Sequence, residues 1–94
     1  GGLDAVATIL AELAEKLDAD KLHALSAIMP MPWVQRLGYL LEHVDEAPKA
    51  ARLKEYVRKH THDTAALVSS LPIDGHARDS GWKLIVNAEV EAEA

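Results

Sequence analysis

Apolar residues recur every three or four positions through the first two thirds of the chain, and the period changes after His60. Leu3, Val6, Leu10, Leu13 and Leu17, with Ala5, Ala7, Ala11 and Ala14 between them, predict a first helix over about 5–17. Asp4 is placed to cap it. Asp18 opens a second helix carrying Leu22, Leu25, Ile28 and Met29. Pro30 and Pro32 stop that helix, because the residue before a proline is driven out of the helical region. A third helix takes Pro32 in its first turn, where the missing N–H costs nothing, and aligns Val34, Leu37, Leu40, Leu41 and Val44. Gly38 in its interior costs about 1 kcal/mol relative to Ala, which predicts the close approach of another backbone. A fourth helix opens at Ala47–Pro48 and is expected to pack Ala51, Leu53, Tyr56 and Val57, with Lys49, Arg52 and Lys59 on its other face.

Beyond His60 the pattern turns strand-like. Residues 66–71 form a short segment with Val68 as its one β-branched member, and Pro72 ends it. Residues 82–86 alternate: Trp82, Leu84, Val86, Ala88 and Val90 share one face, and Lys83, Ile85, Asn87 and Glu89 the other. Ile73–Asp74–Gly75 and Asp79–Ser80–Gly81 are turn chemistry, and the acidic tail from Glu89 is expected to fray. The fold class that follows is α+β, four helices followed by two antiparallel strands. Two strands make a marginal sheet, so the chain is expected to be part of a larger domain.

Size and composition narrow the function. The chain has 94 residues, 49 % of them hydrophobic and 27 % charged, which fits one globular domain. It has no cysteine, which removes disulfides and thiolate chemistry. No run of apolar residues is long enough for a membrane span, and a cytoplasmic location is expected. The net charge of −5 and the lack of Phe argue against strong nucleic-acid binding through charge or base stacking. The charge is uneven, however. Lys49, Arg52, Lys54, Arg58 and Lys59 make the middle basic, between two acidic ends.

Candidate chemistry is sparse. His60 and His62 are spaced for a metal only on an extended strand, and no third ligand follows from the sequence. Ser69, Ser70 and Ser80 lack a nucleophile-elbow motif. The isolated glycines match no phosphate-binding fingerprint. No cofactor is implied, and the chain is read as a non-enzyme. What stands out is a basic contact surface, Arg36, Lys49, Arg52, Arg58 and Lys59, suited to an acidic partner or to phosphates. Trp33, beside Pro30 and Pro32, is expected to staple the start of the third helix to the core.

Three stretches in order resemble the C-terminal region of the AbiEi family of antitoxins, from type IV (abortive-infection) toxin–antitoxin systems. They are Gly1-Gly2-Leu3-Asp4-Ala5-Val6-Ala7 leading into Leu10-Ala11-Glu12-Leu13-Ala14; Val34-Gln35-Arg36-Leu37-Gly38-Tyr39-Leu40-Leu41-Glu42; and Leu71-Pro72-Ile73-Asp74 followed by Arg78-Asp79-Ser80-Gly81-Trp82-Lys83-Leu84-Ile85-Val86-Asn87-Ala88-Glu89-Val90. The loop departs conservatively from the family's Pro-Leu-Asp. The resemblance implies a non-catalytic effector domain of a prokaryotic antitoxin and transcriptional regulator. Its partner would be a nucleotidyltransferase-like toxin, contacted directly or indirectly. Operator DNA would be read by an N-terminal winged helix that these residues do not include. Within the motif, Leu37, Leu40 and Leu41 are expected in the core, Arg36 and Glu42 on exposed flanks, and the Asn87 amide paired with backbone. The alternative is an accessory domain whose basic face touches operator phosphates.

Overall fold

A computed structural model describes residues 2–16, 29–43 and 47–90. Most of the expected second helix, 18–29, lies outside these residues, as do Leu17 and Val44. Among the described residues three helices precede a small sheet: α1 (Gly2–Lys16), α2 (Met31–His43), α3 (Ala47–His60), β1 (Ala65–Ala66), β2 (Arg78–Asp79) and β3 (Leu84–Ile85). The fold is mixed α+β as expected. The strand count and order are not.

Helix α1 begins ahead of Asp4, which therefore lies inside its first turn rather than at its cap. Its buried stripe is Ala5, Ile9 and Leu13, with Val6 beside it, while Leu10 is 52 % exposed. Both sets fit helical spacing; contact with α2 selects the one containing Ile9. The Pro30 carbonyl starts α2 by accepting from the Trp33 and Val34 N–H groups at 3.0 and 3.4 Å. Trp33 is 5 % exposed and belongs to the core. Leu37, expected as core, is only half-buried, whereas Val34 and Leu40 are buried. In α3 the inward residues are Ala50, Leu53 and Val57, and the expected Ala51 and Tyr56 face solvent. The helix ends where the Thr61 N–H donates to the Val57 carbonyl at 3.0 Å, with Arg58, Lys59 and His60 in the last turn, a favourable place for cations.

The sheet has three strands in the order β1-β3-β2. β3 pairs parallel with β1, Ala65 opposite Leu84, and antiparallel with β2, Asp79 opposite Leu84. The expected pair of antiparallel strands is thus corrected. Residues 67–70 bend away instead of continuing a strand, and Asp79, read as the start of a turn, belongs with Arg78 to an edge strand. The turn chemistry at Asp79 persists, since its Oδ1 accepts from the Trp82 N–H at 3.0 Å.

Strands of two residues hold little by themselves, and side chains supply the rest. Asn87 is 5 % exposed and clamps the bend after β1. Its Oδ1 accepts from the Val68 N–H and its Nδ2 donates to the Val68 carbonyl, each at 2.9 Å. The expected pairing of this amide with backbone is therefore present. From α2, Gln35 Nε2 donates to the Trp82 and Lys83 carbonyls, both at 2.9 Å. Arg36 Nε donates to the Ala66 carbonyl at 2.8 Å. That bond occupies an acceptor at the edge of the sheet, where strands otherwise invite pairing.

Gly38 answers to a side chain rather than to a backbone. A Cβ placed there would overlap Cζ3 and Cη2 of the Trp82 ring, which is fully buried. Helix α2 is thus crossed near its midpoint by the indole in the turn that precedes the last strand. The alternation read from residue 82 onward holds for that face, with Trp82 and Leu84 buried and Val86, Ala88 and Val90 packed against the core.

Candidate partner-contact face

The residues expected to form one basic surface occupy different environments. Arg52 and Lys59 are exposed on α3, seven positions apart and therefore on one stripe. Tyr56, 41 % exposed, lies on the same stripe between them, its ring 4.6 Å from that of His60. Lys49 belongs to this helix, but its side chain lies outside the described residues.

Arg58 points around the helix from that stripe. Its Nε donates to Glu55 Oε2 at 3.0 Å, one turn back. Hydrogen bonding to Arg58 holds the Glu55 carboxyl below its ordinary range, and the same bond raises the Arg58 guanidinium. Both side chains are largely in water, where such a pair is worth little.

Arg36 is a correction. Expected on an exposed flank, it is 6 % exposed. Its guanidinium carbon lies 4.3 Å from the centroid of the Trp33 ring, and its Nε is committed to β1. Burial lowers its pKa from the ordinary arginine value, an effect that the nearby Glu12 charge opposes. An arginine in a protein keeps its proton regardless, so the group is a buried cation held by an aromatic face and a carbonyl.

Glu42, the other expected flank, is half-buried and ties α2 to both neighbours. Lys54 Nζ donates to its Oε2 at 2.9 Å and Trp82 Nε1 to its Oε1 at 3.1 Å. The Lys54 hydrogen bond is the main reason that the Glu42 carboxyl titrates below its ordinary value; partial burial opposes it. Burial also raises the Tyr39 phenol, reinforced by the charges of Asp79 and Glu42.

Two clefts flank the turn that follows β2. One, of about 380 Å³, lies against α3 and is lined by Lys54, Glu55, Arg58 and Gly81. The other, of about 220 Å³, is lined by His62, Thr64, Arg78 and Asp79. Ser80 and Lys83 line both. Sequence reasoning missed this second group, whose members are scattered over 62–83. The one available sign was the basic pair Arg78 and Lys83 on either side of a turn.

The chemistry these surfaces support is recognition. Ser69 Oγ donates to Glu12 Oε1 at 2.9 Å, and among the described residues no histidine joins that pair to make a nucleophile–base relay. Among the described residues no three His, Cys, Asp or Glu gather as a metal site. No helix among them is long and apolar enough to cross a membrane.

The V-Q-R-L-G-Y-L-L-E run of α2 is thus spent on packing and on hydrogen bonds to backbone, and it falls within a region shared with known proteins. Residues 1–43 match the family model of the AbiEi antitoxin C-terminal domain. No curated protein and no solved structure matches the chain. The AbiEi match spans α1 and α2, including Gln35, Arg36, Gly38 and Glu42. It therefore covers two of the stretches that carry the resemblance, while the third, within 71–90, lies beyond it. The AbiEi region also excludes α3 and the sheet, so the exposed Arg52–Lys59 stripe is outside the matched residues.

Proposed function

We propose that this chain is the C-terminal region of a type IV antitoxin, a non-catalytic domain that neutralises a nucleotidyltransferase-like toxin in the cytoplasm. The observation that carries this reading is the match of residues 1–43 to the AbiEi antitoxin C-terminal domain. Operator DNA belongs, in this reading, to a winged helix N-terminal to these residues.

The contact surface is the exposed stripe of α3, with Arg52 and Lys59 as its charges, Lys49 on the same helix and Arg58 at its flank. Exposed cations on a rigid helix suit an acidic partner, because they lose little packing when they are recruited. Arg36 does not belong to it, because its burial and its bond to Ala66 make it a scaffold residue.

Growth rescue tests both statements. Co-expression of this chain with the toxin encoded beside its gene is expected to restore growth. The triple variant Arg52→Glu, Arg58→Glu and Lys59→Glu is expected to lose rescue at an unchanged melting temperature. Full rescue by that variant removes the stripe from the mechanism. Death of cells carrying the wild-type chain, where the full-length protein protects, removes neutralisation from these residues.

A further inference from the structure

We propose that the cleft between β2, the turn after it and the segment following α3 binds a phosphate group, with Arg78 and Lys83 as its cationic ligands and Thr64 and Ser80 as hydroxyl donors. The cleft has a volume of about 220 Å³, room for a phosphoryl group with its remaining hydration. Its walls gather two cations, an imidazole at His62 and two hydroxyls, the donor set that an anion with several oxygens requires. Neither Arg78 nor Lys83 forms an ion pair among the described residues, whose ion pairs are Lys54 with Glu42 and Arg58 with Glu55. The one carboxylate on the wall, Asp79, is partly engaged, its Oδ1 accepting from the Trp82 N–H at 3.0 Å.

A second observation points to the same residue. Lys83 has a φ of +54°, a conformation in which glycine or asparagine is at home and lysine is strained. The fold enforces it from two sides: the Lys83 carbonyl accepts from Gln35 Nε2 at 2.9 Å and from the Ala65 N–H at 3.0 Å. Backbone alone would favour glycine there. What lysine adds is a cationic side chain at a residue that lines both clefts. Strain kept at a cleft, held by its surroundings, is a mark of a working position.

The phosphate has two chemical sources, the terminal phosphate of a small molecule and the phosphodiester of a polynucleotide. Isothermal titration calorimetry at low ionic strength, with pyrophosphate and with a short oligothymidylate, separates them. The expected dissociation constant for the source that fits is on the order of 1 mM or tighter. Lys83→Asn keeps the left-handed backbone and removes the cation; it is expected to weaken binding roughly tenfold with an unchanged or higher melting temperature. Lys83→Arg is expected to retain binding. Arg78→Gln, at an exposed position, gives the same loss without touching the strained turn. Pyrophosphate bound without the oligomer assigns a terminal phosphate, and the reverse assigns a backbone. Absence of binding by either probe, or binding that survives both Lys83→Asn and Arg78→Gln, overturns the site. These residues are separate from the α3 stripe, so the antitoxin reading stands or falls independently.

Discussion

Helices α2 and α3 are neighbours of nearly equal length, 13 and 14 residues, and each reads as amphipathic. Their surroundings differ completely. In α2 Trp33, Val34, Gln35, Arg36, Gly38, Tyr39 and Leu40 are all buried, so hardly any side of the helix faces water. In α3 Ala50 and Val57 are fully buried while Arg52, Glu55, Arg58 and Lys59 are exposed. The difference lies in what each helix touches. α3 packs chiefly on α2, whereas α2 also meets α1 and β1. A helix enclosed in this way must carry polar groups inward, because the short strands and turns around it leave carbonyls that need donors. Gln35 and Arg36 are those donors, and α3 has no such duty.

If α2 is the enclosed element, the largest effect comes from filling its crossing point. Gly38→Leu drives a side chain into the Trp82 ring and is expected to cost about 3 kcal/mol or more, enough to abolish the cooperative thermal transition in a small domain. Trp82→Ala, which empties the same crossing, should cost a comparable amount by itself, about 3–5 kcal/mol. A urea titration reads both. A Gly38→Leu protein that melts like the wild type would falsify the crossing.

Next come the inward amides. Gln35→Leu leaves the Trp82 and Lys83 carbonyls short of a donor, and Asn87→Ala leaves the Val68 N–H unpaired and its carbonyl with the Leu71 N–H alone. Each is expected to lose about 2–3 kcal/mol, with faster hydrogen exchange at Ala65 and Val68 respectively. Substitutions at exposed Arg52 give no such change, which is the contrast between the two helices in its simplest form.

The pH dependence is smaller. The Glu42 carboxyl is held below its ordinary value of 4.5, first by the Lys54 hydrogen bond. A depressed folded pKa means that the stabilisation is fully present above the unfolded value and is lost as pH falls through the lowered folded one. Glu42→Gln is therefore expected to be less stable at neutral pH, by under about 1 kcal/mol for this partly exposed pair. The gap should close below pH 4.5. Melting curves across that window check the sign; a gap that widens in acid contradicts it. Smallest of all is Glu55→Gln on α3, whose partner Arg58 is exposed, and its melting temperature should be unchanged.

How much of this was legible beforehand varies by residue. The helical periods gave α1, α2 and α3 within a few residues, since turns, prolines and apolar spacing act locally. Trp33 as a core residue, the Asn87 pairing and the apolar face from Trp82 onward were also legible. Leu10 was not, because Ala5–Ile9–Leu13 and Val6–Leu10–Leu13 satisfy the same spacing and only the partner surface chooses. Arg36 was misread for a related reason. A charged residue beside apolar ones is normally solvated, and nothing in the sequence announces the Ala66 carbonyl thirty positions away. The candidate cleft was least legible, since His62, Arg78 and Lys83 meet only through the sheet.

The approximate ends of α1, α2 and α3, the turn at Asp79 and the need for something small at Gly38 were all written into the chain, as consequences of short-range sterics and hydrogen bonding. Long-range packing settled that the small residue faces an indole, that β3 lies between β1 and β2, and that the basic residues divide between a core, a stripe and a cleft. Those outcomes depend on which distant groups must satisfy one another's hydrogen bonds inside a crowded interior, and spacing along the chain carries no record of that.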